Sequence, residues 1–113
     1  MSYKVRMKMF EGPFDLLVYL IENAEMSIYD IEVSQITKQY FEYIDEMEEL
    51  DVTVATEFMV LAATLIEIKA KMLLPRFNED GEPVMEEDPR KELVTRLLEY
   101  KRFKRASEML ATA

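Results

Sequence analysis

The hydrophobic and polar positions fall into four helical stretches preceded by a short alternating run. Tyr3, Val5, Met7 and Met9 alternate with Lys4, Arg6 and Lys8, a period of two that predicts a strand over Tyr3 to Phe10. Gly12-Pro13 then opens a helix. Proline suits the first helical position, whose N–H has no partner within the helix, and Asp15 sits where the helix dipole favours a negative charge. Phe14, Leu17, Val18 and Ile21 recur at helical spacing, with Leu16, Leu20 and Ala24 widening the face, and the helix is expected to end near Glu25. Ile28 and Ile31 anchor a connector over Met26 to Glu32. A second helix begins at Val33 or Ser34, with Val33, Ile36, Tyr40, Ile44 and Met47 on one stripe, Phe41 and Tyr43 flanking it, and charged residues opposite. A third, capped by Asp51 or Thr53, runs to about Leu74 and stops before Pro75, because the residue before a proline disfavours the helical conformation.

The third helix carries more apolar surface than its place calls for. At about 100° per residue, Phe58, Leu61, Leu65, Ile68 and Met72 form one stripe, and Met59, Ala62, Ala63, Ile66, Ala70 and Leu73 form another. Glu57, Thr64, Glu67 and Lys71 share a narrow polar sector, and the stem of Lys69 can lie along the apolar surface between the stripes. One stripe about 100° wide serves an ordinary surface helix. Two stripes mean either a central helix covered on both sides or a face reserved for another chain. The three alanines of the second stripe favour the partner, since they let another helix approach closely, and only two other helices and an arm precede Pro75 to provide cover. Burying roughly 400–600 Å² of that stripe at about 25 cal/mol/Å² gives roughly 10–15 kcal/mol gross, much of it offset by the freedom lost on association.

Pro75 to Asp88 holds Gly81, Pro83 and six acidic residues and reads as a flexible acidic linker. Asn78-Glu79-Asp80-Gly81 has residue types of a calcium loop without its acidic spacing or closing Glu. Asp88-Pro89 then starts a fourth helix, with Leu93, Val94, Leu97, Leu98 and Tyr100 apolar and Phe103 and Leu110 extending that stripe. The pattern therefore predicts an all-α chain: a three-helix amino-terminal domain with a short strand over residues 1–75, an acidic linker over 76–88, and a further helical region over 89–113. The lack of a helix stop before Ala113 leads us to expect a longer parent chain.

Composition narrows the chemistry. The 113 residues contain no Cys and no His, which excludes thiol nucleophiles, disulfides, imidazole catalysis and Cys/His zinc sites. Two glycines leave no room for a phosphate-binding loop. Acidic runs such as Glu42 to Asp51 read as a solvated face, and no enzyme activity or cofactor is expected. Nine methionines suit both core filling and an adaptable partner surface. Residues 1–89 hold 7 Lys/Arg against 20 Asp/Glu, a net charge of −13, whereas residues 90–113 hold 7 against 3, a net of +4. An acidic body repels a phosphate backbone, so only the basic stretch Arg90 to Arg105 could favour nucleic acid. Met1 to Phe10 lacks the apolar stretch of a signal peptide.

Four motifs in register resemble one family. Phe10-Glu11-Gly12-Pro13-Phe14-Asp15-Leu16-Leu17 is similar to the F-x-G-P-L-D-L-L opening of segregation and condensation protein A, the bacterial kleisin family. Ile28-Tyr29-Asp30-Ile31 resembles its D-I-x-D-I connector, with Met26-Ser27 departing from the acidic start. Glu57 to Leu65 and Ile68 to Pro75 resemble its long helix. Asp88-Pro89-Arg90 and Leu98-Glu99-Tyr100-Lys101 resemble its later block. The resemblance implies a non-catalytic subunit of the SMC condensin complex, acting in chromosome condensation and segregation in the cytoplasm at the nucleoid. It implies binding to the head-neck of an SMC ATPase and to an ScpB dimer, with DNA met only through the complex. No membrane or small-molecule substrate is expected, and a carboxy-terminal domain that holds the second SMC head is absent from this stretch. By position, Met59, Ala62, Ala63, Ile66, Ala70 and Leu73 become the SMC-facing candidates, and Leu97, Leu98, Tyr100 and Phe103 the ScpB-facing ones. The residues themselves leave two other readings open: a self-associating helical module, and a nucleic-acid-binding module using the basic 90–105 helix.

Overall fold

The structure, a computed structural model, describes residues 10–50, 52–74, 77–82 and 87–112. Those residues are all-α. The expected strand, apart from Phe10, lies outside them, as do Asp51 and the side chain of Thr53 expected to cap the third helix. Helix α1 (Pro13–Asn23) is followed by a 3-10 turn (Ile28–Asp30), then α2 (Val33–Leu50), α3 (Val52–Leu73) and α4 (Lys91–Thr112).

Helix α1 begins as the sequence predicts, with Pro13 in its first turn. The Asp15 carboxylate reaches back to accept from the Glu11 backbone N–H at 3.0 Å, pinning the residue before the Gly12 cap to the first turn of the helix. The helix ends two residues earlier than expected. The Glu25 N–H bonds to the Glu22 carbonyl and the Met26 N–H to the Ile21 carbonyl, both at 3.0 Å. That pair of bonds is the Schellman closure, and it puts Glu25 at a φ of 58°, a left-handed conformation normally given to glycine. The Ser27 hydroxyl caps the 3-10 turn by accepting from the Tyr29 N–H at 3.1 Å, while Ile28 and Ile31 insert into the core.

One core unites all four helices. It contains Leu16, Leu17, Leu20 and Ile21 of α1, Val33, Ile36, Tyr40 and Ile44 of α2, Phe58, Leu61, Leu65 and Ile68 of α3, and Leu93 and Leu97 of α4. Helices α2 and α3 share the most extensive contact. Tyr40 is wholly enclosed between them, and its hydroxyl donates to the Phe58 carbonyl at 2.8 Å, so a phenol can sit in the core without an orphaned donor. Burial pushes that phenol's pKa upward. Phe10, Tyr19 and Tyr43 stack at tilted and edge-on angles, with ring centres 5.2–6.5 Å apart, on the outer side of α1 and α2.

The helix set apart in sequence by the acidic segment is joined in space. Leu93 and Leu97 enter the same core as Leu16 and Phe58, and α4 packs on α1 and the 3-10 turn. Asp88 caps its start, accepting from the Arg90 N–H at 2.9 Å. Residues 77–82 form a turn organised by Asn78, whose side-chain oxygen accepts from the Asp80 and Glu82 amides, both at 2.9 Å. Gly81 takes a φ of 78° there. Asn78 thus serves the turn itself, and the described residues hold no group of three or more metal-ligating side chains.

Candidate functional site

Helix α3 separates its two apolar stripes. Phe58, Leu61, Leu65 and Ile68 face the core. On the other side Met59, Ile66 and Leu73 are 48%, 52% and 64% exposed, and Ala63 and Ala70 are open beside them. Ala62 does not belong with that set. It is 3% exposed and packed in the core, at the border of the two stripes, about 40° around the helix from both Phe58 and Ile66. Met72 makes the opposite departure: it is exposed, although its spacing puts it with the core stripe. The open face is therefore Met59, Ala63, Ile66, Ala70 and Leu73, bordered by Glu67 and Lys71. These two are 3.9 Å apart, a solvated pair of little energetic weight. At the far end of the helix, Lys69, Met72 and Leu73 border a cleft of about 430 Å³ shared with Ile31, Glu32 and Val33.

The candidates on α4 are divided in the same way. Leu97 is fully enclosed, Leu98 and Tyr100 are half-buried, and Phe103 is 65% exposed. Leu97 holds the helix to the body and cannot face a second protein while α4 is docked. The expected single stripe also fails at its far end. Phe103 and Leu110 lie about 220–240° around the helix from Leu97, on the side facing solvent, and Leu110 is 79% exposed.

Charged groups fasten α4 to the rest. Arg90 donates to Asp88, to Asp30 at 3.0 Å and to the Ile31 carbonyl at 2.8 Å. Its guanidinium holds Asp88 below the ordinary carboxylate range. Lys101 meets Glu22 at 3.1 Å and Lys104 meets the buried Asp15 at 2.9 Å. Burial opposes ionisation of Asp15, but the Glu11 amide and the Lys104 ammonium outweigh it, so its pKa falls below the usual value. The Tyr100 hydroxyl is buried near the same carboxylate, outside hydrogen-bonding geometry, and burial with that neighbouring charge raises its pKa. Of the seven Lys and Arg in residues 90–113, Arg90, Lys91, Arg96, Lys101 and Lys104 are each ion-paired within this chain.

Residues 20–113 match the family model described as segregation and condensation protein ScpA. The chain belongs to this family. It is 51% identical over 110 residues to segregation and condensation protein A of Clostridium acetobutylicum, covering 97% of this chain and 44% of that protein. It is 53% identical over 116 residues to the Brevibacillus brevis protein of the same name, covering 97% and 46%. The chain thus spans less than half the length of these ScpA relatives. Much of the ScpA-like sequence has a job inside this fold. Asp15 of the opening motif receives Lys104, and Asp30 and Ile31 of the connector receive Arg90 of the Asp-Pro-Arg motif. The open face of α3 has no such internal use among the described residues. No helix among them is long and apolar enough to cross a membrane.

Proposed function

We propose that this chain is the amino-terminal part of a kleisin in an SMC condensin complex and that it works by binding, not by catalysis. The exposed face Met59, Ala63, Ile66, Ala70 and Leu73 is the surface for the coiled-coil neck of the SMC ATPase. The single observation that carries this reading is that face: an apolar strip on a helix whose other side already fills a complete core. A strip of this kind, with small residues at Ala63 and Ala70, suits another helix and is a liability when left bare. ATP hydrolysis belongs to the partner. Helix α4 carries the contact with the ScpB dimer, through Phe103 and the half-covered Leu98 and Tyr100. DNA is reached through the complex, in the cytoplasm at the nucleoid.

Nucleic-acid binding by the basic helix is the weaker reading, because most of its cations already serve carboxylates of this chain and the body beneath is strongly acidic. The test is Ile66→Glu in the 113-residue chain, with capture by an SMC head carrying its neck. Capture is expected to drop while the helical circular dichroism and melting temperature stay unchanged. Undiminished capture by a folded Ile66→Glu chain removes this face from the interface. A dimer of the unaltered chain in light scattering, dispersed by the same change, assigns the face to a second copy.

A further inference from the structure

Three aromatic rings make an apolar face of their own, apart from the open strip of α3. Phe10, Tyr19 and Tyr43 border a cleft of about 260 Å³ that Val18 also lines. Phe10 and Tyr43 are half-buried, and Tyr19 is 42% exposed. Phe10 stands three residues before α1, yet its ring centre lies 5.2 Å from that of Tyr19, in the second turn. The chain therefore comes to α1 by way of this face. The charges around the cleft are unequal. Asp15 is answered by Lys104 and Glu22 by Lys101, and Arg105 of α4 has Glu108 three residues on. Glu46 and Glu42 lie about 60° and 100° around α2 from Tyr43, on the side away from Tyr40. Neither has an ion-pair partner among the described residues, and Lys38, the cation of α2, pairs with neither.

We propose that residues 1–9 of this chain occupy this face, as an extended amino-terminal strap laid over Tyr19 and Tyr43 with its cations on the carboxylates of α2. The segment continues directly from Phe10, which is already seated against both rings. It carries Lys4, Arg6 and Lys8 and no carboxylate, the complement of Glu42 and Glu46. Nine extended residues span up to about 30 Å, and Glu46 is a single turn from Tyr43. Alternation decides which side faces the body. Lys4, Arg6 and Lys8 share the parity of Phe10, so an extended segment puts them on the side where Phe10 meets the helices. Their stems then cross the rings, where a cation is attracted to an aromatic face, and their charges reach the carboxylates beyond. Tyr3, Val5, Met7 and Met9 take the outer side. Strapped in this way, the aromatic face is closed to other proteins and is not a second docking site beside the strip on α3.

The experiment measures nitration of tyrosine rings by tetranitromethane in the 113-residue chain, read by mass spectrometry. Tyr29, 72% exposed on the connector, is the internal reference. The variant combines Lys4→Glu, Arg6→Glu and Lys8→Glu, which keeps the chain length, Phe10 and the core. Nitration of Tyr19 and Tyr43 relative to Tyr29 is expected to rise at least about threefold in the variant, and to rise with salt in the unaltered chain as the ion pairs are screened. Glu42→Lys with Glu46→Lys is expected to raise it likewise, and the two sets combined to restore protection, which a general loss of folding would not do. Carbodiimide cross-linking of a mixture of isotope-labelled and unlabelled chains is expected to join Lys4 or Lys8 to Glu42 or Glu46 within one copy. Equal nitration in the unaltered chain and the triple variant overturns the proposal. Cross-links confined to pairs of different copies also overturn it, since the segment then lies on a second molecule. Protection of Tyr19 and Tyr43 that appears only when another protein is added overturns it too, and assigns the face to that protein.

Discussion

The ammonium of Lys104 lies 2.9 Å from the Asp15 carboxylate, and the contact joins residues 89 positions apart. Asp15 is 5% exposed and also holds the Glu11 amide, so one carboxylate both starts α1 and fastens α4 to it. A charge-assisted bond of this kind is stronger than a neutral one. Removing it would leave Lys104 free to turn to water, since its side chain is already 42% exposed.

This pair contributes to the pH dependence of stability at both extremes. The pKa of Asp15 is lowered in the folded chain. Its contribution is therefore complete above the unfolded Asp value, about 3.9, and is lost as pH falls from there through the depressed value. Lys104 is shifted upward, so its share is complete below the unfolded Lys value, about 10.4, and is lost as pH rises through the raised one. Asp15→Asn is expected to cost about 1–3 kcal/mol at neutral pH and to make the acid limb of a melting-temperature profile shallower. Parallel acid limbs in the two proteins would show that Asp15 is not the group responsible.

Ala62 and Ala63 are neighbours with opposite surroundings, the first buried and the second open. Ala62→Leu is expected to destabilise the chain by about 1–3 kcal/mol through overpacking. Ala63→Leu is expected to change stability by no more than about 0.5 kcal/mol. Urea unfolding of the two variants checks the contrast, and equal losses would mean that the two sides of α3 are not distinguished in this way.

Arg90 donates to two carboxylates and a backbone carbonyl. A lysine ammonium is a single point with no planar fork and cannot reproduce that set. Arg90→Lys is expected to cost about 1–2 kcal/mol and to speed amide exchange in the first turns of α4 before exchange in α2 is affected. Exchange that rises evenly through the chain would count against a local role for the guanidinium.

The helices themselves were legible from period and punctuation. Pro13 fixed a start and Pro75 a stop, and Val33, Ile36, Tyr40 and Ile44 fell on the buried side as their spacing implied. The two-sided character of α3 was legible too, except at Ala62, where a small residue at the border of two stripes gives the pattern no means of assigning it. The place of α4 was not legible. An acidic, Gly- and Pro-containing stretch resembles a tether, and the features that overrule it are contacts between residues about 60 to 90 positions apart, which leave no periodic trace. Apolar type alone puts Phe103 and Leu110 on the Leu97 stripe, whereas their angle around the helix takes them off it. Glu25 in a left-handed conformation is likewise a product of helix closure, with no local residue signal before it.

Leu93 and Leu97 wedge α4 among the same side chains that carry Phe58 and Leu65. Helix α4 meets α1, and α1 meets α3, so the surfaces at Phe103 and Ile66 are carried by helices seated in one core, and a pull on either helix loads the same buried contacts.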